Sequence, residues 1–297
     1  MYKIKQIVYA ALSNFRRWAR SPQVVLCFML AFIFCFLLSD KVLQFAKLHD
    51  TYLQMLETFI WTFGDAQSVL IISLLLLLLF SDMPNLSNEV PLFMIRMDRT
   101  TWLLGQIVYL VSASFVFMLF ILISTVILSS ERIYTADLWS ETAAILSYSN
   151  VGKTLAVPAF VKVLELTFPY ACTAHIFLLM AGYAVSMASV ILFFNLCRAN
   201  GGMIGGIVFS GFGLLMNPSL IAEWFNISVD RMQYANILFG WLSPLNHATY
   251  YMHNFGYDNL PRLSMSYIFF TVFSMIFFVL SLLKIRNYSF CFTGTQR

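Results

Sequence analysis

Residues 100–130 read TTWLLGQIVYLVSASFVFMLFILISTVILSS and contain no Asp, Glu, Lys or Arg. A helix rises about 1.5 Å per residue and the hydrocarbon core of a bilayer is roughly 30 Å thick, so about 20 such residues cross it. This stretch exceeds that length, and one of its ends must lie in the interface. The rest of the chain has the same character. Of its 297 residues, 60% are hydrophobic, 17% aromatic and 11% charged, with a mean hydropathy of +0.78. A soluble domain carries about 25% charged residues, which excludes a water-soluble globular protein. The 30 Phe, 14 Tyr and 6 Trp also exclude a disordered chain, because disorder requires low hydrophobicity.

Outward from residues 100–130, five more segments read as crossings, making an all-α integral membrane protein with six transmembrane helices. The first, Pro22 to Ser39, has Ser21 at the N-cap position and Pro22 at the first helical position, a good helix start. Phe59 to Phe80 includes the run Leu74 to Leu79, with Asp65 near one end. Leu166 to Cys197 is free of charge apart from the usually neutral His175. Gly201 to Met216 is shorter and rich in glycine. Ser264 to Leu283 is the last.

Short cytoplasmic loops are enriched in Lys and Arg, and six crossings put both termini on one side. That side holds eleven of the 18 basic residues, among them Arg16, Arg17, Arg20, Arg96, Arg99 and Arg198, against the three acids Asp82, Glu89 and Asp98. The result is a net +8 on one face and −4 on the other, within the +4 of the whole chain. Both termini are therefore expected to be cytoplasmic in a cell membrane. The basic residues are scattered along helix ends and form no contiguous patch for nucleic acid. The 5 cysteines stand mostly in or beside apolar runs at unrelated spacings, with no disulfide framework or zinc pattern. The first apolar run follows a basic amphipathic segment and lacks a small-x-small cleavage site, so it is expected to stay in the protein.

Between residues 1 and 20, Ile4, Ile7, Val8, Ala11, Phe15 and Trp18 fall within an arc about 100° wide, the width of an apolar stripe, while Lys5, Arg16, Arg17 and Arg20 project elsewhere. Such a helix is expected to lie in the headgroup plane, with its arginines near anionic lipid. The loop 81–102 is far longer than the 2–8 residues that a helix connection needs. Asn88 is its candidate N-cap, with Glu89 in the first turn and a short helix over Leu92 to Met97. Asp98 is placed to cap a restart into the third crossing. Alternating apolar and charged side chains make this loop a surface built for contact. The outward stretch 217–261 is broken by Asn217-Pro218 and Ser243-Pro244, which predicts short re-entrant or interfacial helices.

Several motifs fail on inspection. Gly152-Lys153-Thr154 lacks the glycine five positions earlier that a phosphate loop requires, since Ser147 stands there. His247 and His253 are six apart and do not share a helical face, so they suggest no metal site. Ser210 is followed by Gly211 but preceded by Val208, unlike a rhomboid protease. Ion-coupled transporters carry ionisable residues inside their crossings, whereas here only Asp65 and His175 come close, both in packing or capping roles. Gly201, Gly202, Gly205 and Gly206 form two overlapping Gly-x-x-x-Gly pairs that allow close helix approach.

A basic amphipathic N-terminal helix, six crossings with both ends inside, an extended loop after the second and a broken segment before the sixth together resemble the permease subunits of ABC-2 type transporters. The closest local match is Phe80-Ser-Asp-Met-Pro84 followed by Ile95-Arg-Met-Asp-Arg-Thr-Thr-Trp-Leu-Leu-Gly-Gln106, which is similar to the coupling region of permeases from Gram-positive bacteria. The resemblance implies a non-catalytic subunit without cofactor or metal. It would pair with a second permease subunit and dock on a separate ATP-binding subunit to drive export. Glu89, Phe93, Arg96, Asp98 and Arg99 would lie on the coupling helix or its exit and contact that subunit. The helix carrying Phe15, Arg16, Arg17, Trp18 and Arg20 would be the connecting helix, and 217–261 an external gate. A stand-alone channel, scaffold or immunity-type membrane protein is the alternative, and a membrane enzyme a third reading. Peptides, lipids, drugs and polysaccharides all travel through permeases of this shape.

Overall fold

The computed structural model describes every residue except 1, 85–89, 150, 155–156, 158–160, 199–200, 216–221, 227–231, 257–258 and 289–297. Helices dominate, as a chain in lipid requires, because there each backbone N–H and C=O must find its partner within the segment. Among the described residues, four helices are long and apolar enough to cross a membrane: α2 (Pro22–Leu48), α6 (Arg99–Ser129), α10 (Pro169–Cys197) and α14 (Leu263–Lys284). Pro22 and Pro169 each open their helix, where the missing N–H is harmless. The chain is a multi-pass, membrane-embedded helical protein by the length and composition of these elements.

The six expected crossings are not all full-length. Phe59–Phe80 is two helices, α3 (Glu57–Phe63) and α4 (Ala66–Phe80), bent by 85°, and they make a fifth crossing only if counted together. Tyr251 explains the break. Its hydroxyl donates to the Ile60 carbonyl at 3.0 Å, and a Cβ on Gly64 would stand 2.4 Å from its ring. Asp65 then takes extended backbone and caps α4 by accepting from the Gln67 N–H at 3.2 Å. The expected crossing 201–216 is α11 (Gly201–Leu215), whose 15 residues reach about 22 Å, short of the hydrocarbon thickness. The expected crossing 166–197 divides at Pro169 between α9 (Val161–Leu166) and α10. The first crossing runs on past Ser39 to Leu48 and carries Asp40, Lys41 and Lys47 with it.

α10 is the centre of the bundle: 72% of its apolar window is buried, against 22% for α2 and 28% for α14. α11, α14, α4 and α6 all pack against it, and α11 also touches α4. Ser186 and Ser274 hydroxyls, 3.0 Å apart, join α10 to α14. α2 closes against α4 and α6, where the Cys27 thiol donates to the Leu75 carbonyl. Phe32, Phe36 and Leu37 of α2 and Ile268, Val272 and Ile276 of α14 stay exposed, an apolar surface that only lipid or another apolar surface covers without penalty.

Helix ends sort into two groups. At one end, Asn195 donates to the carbonyls of Ser81 (2.8 Å) and Met83 (2.6 Å), and Gln23 donates to the Ser81 hydroxyl at 2.9 Å. Arg99 there donates to the carbonyls of Arg286 (3.2 Å) and Tyr288 (3.0 Å). This is the basic end, and α1 (Tyr2–Arg16) and α5 (Val90–Arg96) belong to it. At the far end, Lys47 pairs with Glu131 at 3.0 Å and Arg132 with Asp50. β1 (Leu53–Gln54) lies parallel to β2 (Ile133–Tyr134), beside a cap of α7 (Glu141–Tyr148), α8 (Val151–Thr154) and α9. The broken stretch supplies α12 (Met232–Leu242) and α13 (Pro244–Ala248), the latter fully buried and capped by the Ser243 hydroxyl.

Candidate functional site

The basic end is assembled on the first turns of α6. Gly105 lets α1 come close, since a Cβ there would stand 2.5 Å from that of Ala10. Ala10, Ala11 and Asn14 are buried in the contact. Asn14 Nδ2 donates to Gln106 Oε1 at 2.8 Å, and Trp18 Nε1 donates to the Tyr109 hydroxyl at 2.8 Å. The Phe15 ring meets the Tyr109 ring edge-on at 5.0 Å. The stripe expected to dip into lipid is thus divided. Ala11, Phe15 and Trp18 pack on protein, while Ile4 (65% exposed) and Val8 (45%) remain outside. The helix is seated on α6, because Asn14 and Trp18 find polar partners there that a lipid tail cannot offer.

α5 is tied to the same unit. Gln6 Nε2 donates to the Arg96 carbonyl at 2.8 Å, and Lys3 pairs with Asp98 at 3.7 Å. Asp98 stands at the N-cap position of α6, but its carboxylate turns to Lys3 and makes no cap hydrogen bond. Phe93 is half-buried against the core, whereas Arg96, Asp98 and Arg99 are exposed. Arg99 differs from Arg96 in that its guanidinium ties down the exit of α14. Arg16 and Arg20 are exposed and Arg17 half-buried. Glu89 and Asn88 lie outside the described residues.

Gly201, Gly202, Gly205 and Gly206 face the same subunit. Added Cβ atoms would stand 2.6 Å from the Phe194 carbonyl oxygen, 2.5 Å from Asn195, 2.6 Å from the Phe194 ring and 2.3 Å from Leu77, respectively. The glycine pairs therefore seat α11 on α10 and α4.

Two buried polar clusters were not visible in the spacing of the sequence. His247, in α13, and His253 lie outside the four long helices, yet both reach the Ser266 hydroxyl, His247 through Nδ1 at 2.8 Å and His253 through Nε2 at 2.7 Å. Each ring directs its other nitrogen at a carbonyl oxygen, that of Trp241 (3.0 Å) for His247 and that of Thr249 (3.0 Å) for His253. Those nitrogens carry the hydrogens. All three side chains are buried, and burial pushes both imidazoles below their ordinary range, His253 to about 4. The second cluster is Glu57, fully buried, whose carboxylate accepts from the Ser140 N–H at 2.7 Å, the Ser140 hydroxyl and the Gln54 N–H. An acid inside the packed protein was expected only near Asp65. Its one legible signal was an isolated Glu at the head of an apolar run.

Comparison with protein-family models, with curated proteins and with solved structures finds no match to this chain.

Among the described residues no three His, Cys, Asp or Glu side chains gather as metal ligands, and the two histidines converge on a hydroxyl. His175 accepts or donates one hydrogen bond with the Tyr267 hydroxyl at 2.8 Å, joining α10 to α14 near their far ends. Chemically, the far end holds neutral hydrogen-bonded rings and one sequestered carboxylate. The basic end offers guanidinium groups on elements joined by hydrogen bonds and an ion pair.

Proposed function

We propose that the chain is the membrane-spanning permease subunit of an ATP-driven exporter of the ABC-2 type. It pairs with a second permease subunit and docks on a separate ATP-binding subunit at its basic end. On this reading the basic end is cytoplasmic, both termini lie there, and the far end opens outward from a cell membrane. The observation that carries the reading is that α5 is tied to α1 through Gln6–Arg96, while α1 is tied to the start of α6 through Lys3–Asp98 and Asn14–Gln106. A seven-residue helix such as α5 is too short to be stable alone. Held between α1 and the start of α6, it passes any push from outside the membrane into a helix that crosses the bundle.

Co-expression with an ATP-binding subunit of the ABC type tests this. The expected result is a stable complex whose ATP hydrolysis changes when the permease is present, with none from the permease alone. Arg96→Glu is the informative variant, because the Arg96 side chain is exposed while that of Arg99 also holds the α14 exit. It should reduce complex formation about tenfold or more, the loss of one or two charge-assisted contacts. Full function of the chain in cells without any partner ATPase would replace this reading with the stand-alone one.

A further inference from the structure

Between α1 and α5 the basic end encloses a cleft of about 750 Å³. Arg16, Arg17, Arg20 and Arg96 line it, with Tyr9 and Ser13 adding hydroxyls. Among the described residues of its lining none is acidic, and the nearby Asp98 faces Lys3. Arg16, Arg20 and Arg96 bring three guanidinium groups of like charge to one hollow, which favours an occupant of opposite charge between them. Each presents a planar fork of N–H donors, the geometry that matches phosphate oxygens.

The position of the cleft says where that phosphate comes from. Arg16, Arg17 and Arg20 all stand within six residues of Pro22, the first residue of the long helix α2. Arg96 precedes Arg99, the first residue of the long helix α6, by three. The guanidinium groups thus stand beside the first turns of two long apolar helices, the end of a crossing at which headgroups meet a membrane protein. On the same helix, Ile4 and Val8 leave an exposed apolar edge suited to the acyl boundary.

We propose that this cleft is a binding site for the phosphate headgroup of an anionic lipid from the adjoining leaflet, shared between α1 and α5. The shared chemistry is a phosphate group whose anionic oxygens accept from guanidinium N–H donors. The occupant would bridge the two elements across the hollow and add to the Gln6–Arg96 contact. This inference does not depend on transport or on an ATP-binding partner.

The test uses the purified full-length chain in detergent, with thermal unfolding measured against added phosphatidic acid, phosphatidylcholine or inorganic phosphate. Phosphatidic acid should raise the unfolding midpoint by several degrees at concentrations where phosphatidylcholine and inorganic phosphate do not. The triple variant Arg16→Gln/Arg20→Gln/Arg96→Gln should bind phosphatidic acid about a hundredfold more weakly, following the strength of each arginine at an anionic surface. Native mass spectrometry of the same samples reports whether the variant is folded and how many lipids it retains. An undiminished response in the folded variant would overturn the site. An equal response to inorganic phosphate would overturn the lipid as its source. If lipid makes no difference while the same arginines are required to retain the ATP-binding subunit, the cleft belongs to a protein partner and the proposal is wrong.

Discussion

Ser266 has one hydroxyl hydrogen and two imidazole neighbours. His247 and His253 both direct their N–H groups at backbone carbonyls, so the two nitrogens facing Ser266 are acceptors competing for a single donor. Ser266→Ala removes that donor and leaves two buried acceptors without one. We expect a loss of about 1–3 kcal/mol, read as a lower unfolding midpoint, with Ser266→Thr close to the parent. An unchanged midpoint for the alanine variant would mean that the rings do not rely on the hydroxyl. The same site sets a pH dependence. The folded His253 titrates near 4 because it is buried, whereas in the unfolded chain the ring titrates at about 6.5. Between these values the unfolded chain holds a proton that the folded His253 lacks, so the stability this residue contributes falls as the pH drops from about 6.5 toward 4 and is constant above. Across that window the midpoint of His253→Gln should fall less with decreasing pH than that of the parent.

The break between α3 and α4 is the element whose geometry most affects the bundle. Gly64 tolerates the Tyr251 ring only because it has no side chain, and Asp65 restarts the helix. Gly64→Leu should cost about 1–3 kcal/mol by overpacking, and Gly64→Leu/Tyr251→Ala should recover part of it. A double variant no better than the sum of its singles would show that the ring is not the obstacle. Asp65→Ala should cost about 1 kcal/mol through loss of the cap. At the opposite end, the amphipathic character of α1 was evident from its sequence, but its partner was not. Its stripe suits lipid and α6 equally well, since both are apolar, and only Asn14 and Trp18, meeting Gln106 and Tyr109, decide between them.

At the scale of the molecule, the sorting of helix ends predicts which residues share a side of the membrane. Among the described cysteines, Cys27, Cys35 and Cys172 are buried and Cys197 is exposed at the basic end. In a Cys291→Ser background, a membrane-impermeant maleimide should label Cys197 in inverted vesicles and not in intact cells. A cysteine introduced as Glu165→Cys, exposed in the far-end cap, should show the reverse. Labelling of both from one side would contradict the opposite placement of the two ends, and a swapped pattern would invert the proposed orientation. The labels also test how the short α11 and the bent α3–α4 pair contribute, because an odd number of crossings would change where Lys284 and the residues after it emerge.

Residues 100–130 were enough to establish a crossing, and α6 follows them within one residue at each end. Pro22 likewise marks the start of α2 and Ser264–Leu283 the last helix. Such elements are legible because the free energy that drives them, removal of apolar side chains from water, is a sum over consecutive residues. The tertiary structure alone decided the rest. The bend at Gly64 depends on Tyr251, the burial of Glu57 on Ser140, and the pairing of His247 with His253 on Ser266. Each joins positions far apart in the chain, and a buried polar group takes whatever partner the packed helices bring within 3 Å or so. Local hydrophobicity therefore determined where this chain enters the membrane. Long-range hydrogen bonding determined which of its helices bend, which seat on one another, and where four arginines came to face a single cleft.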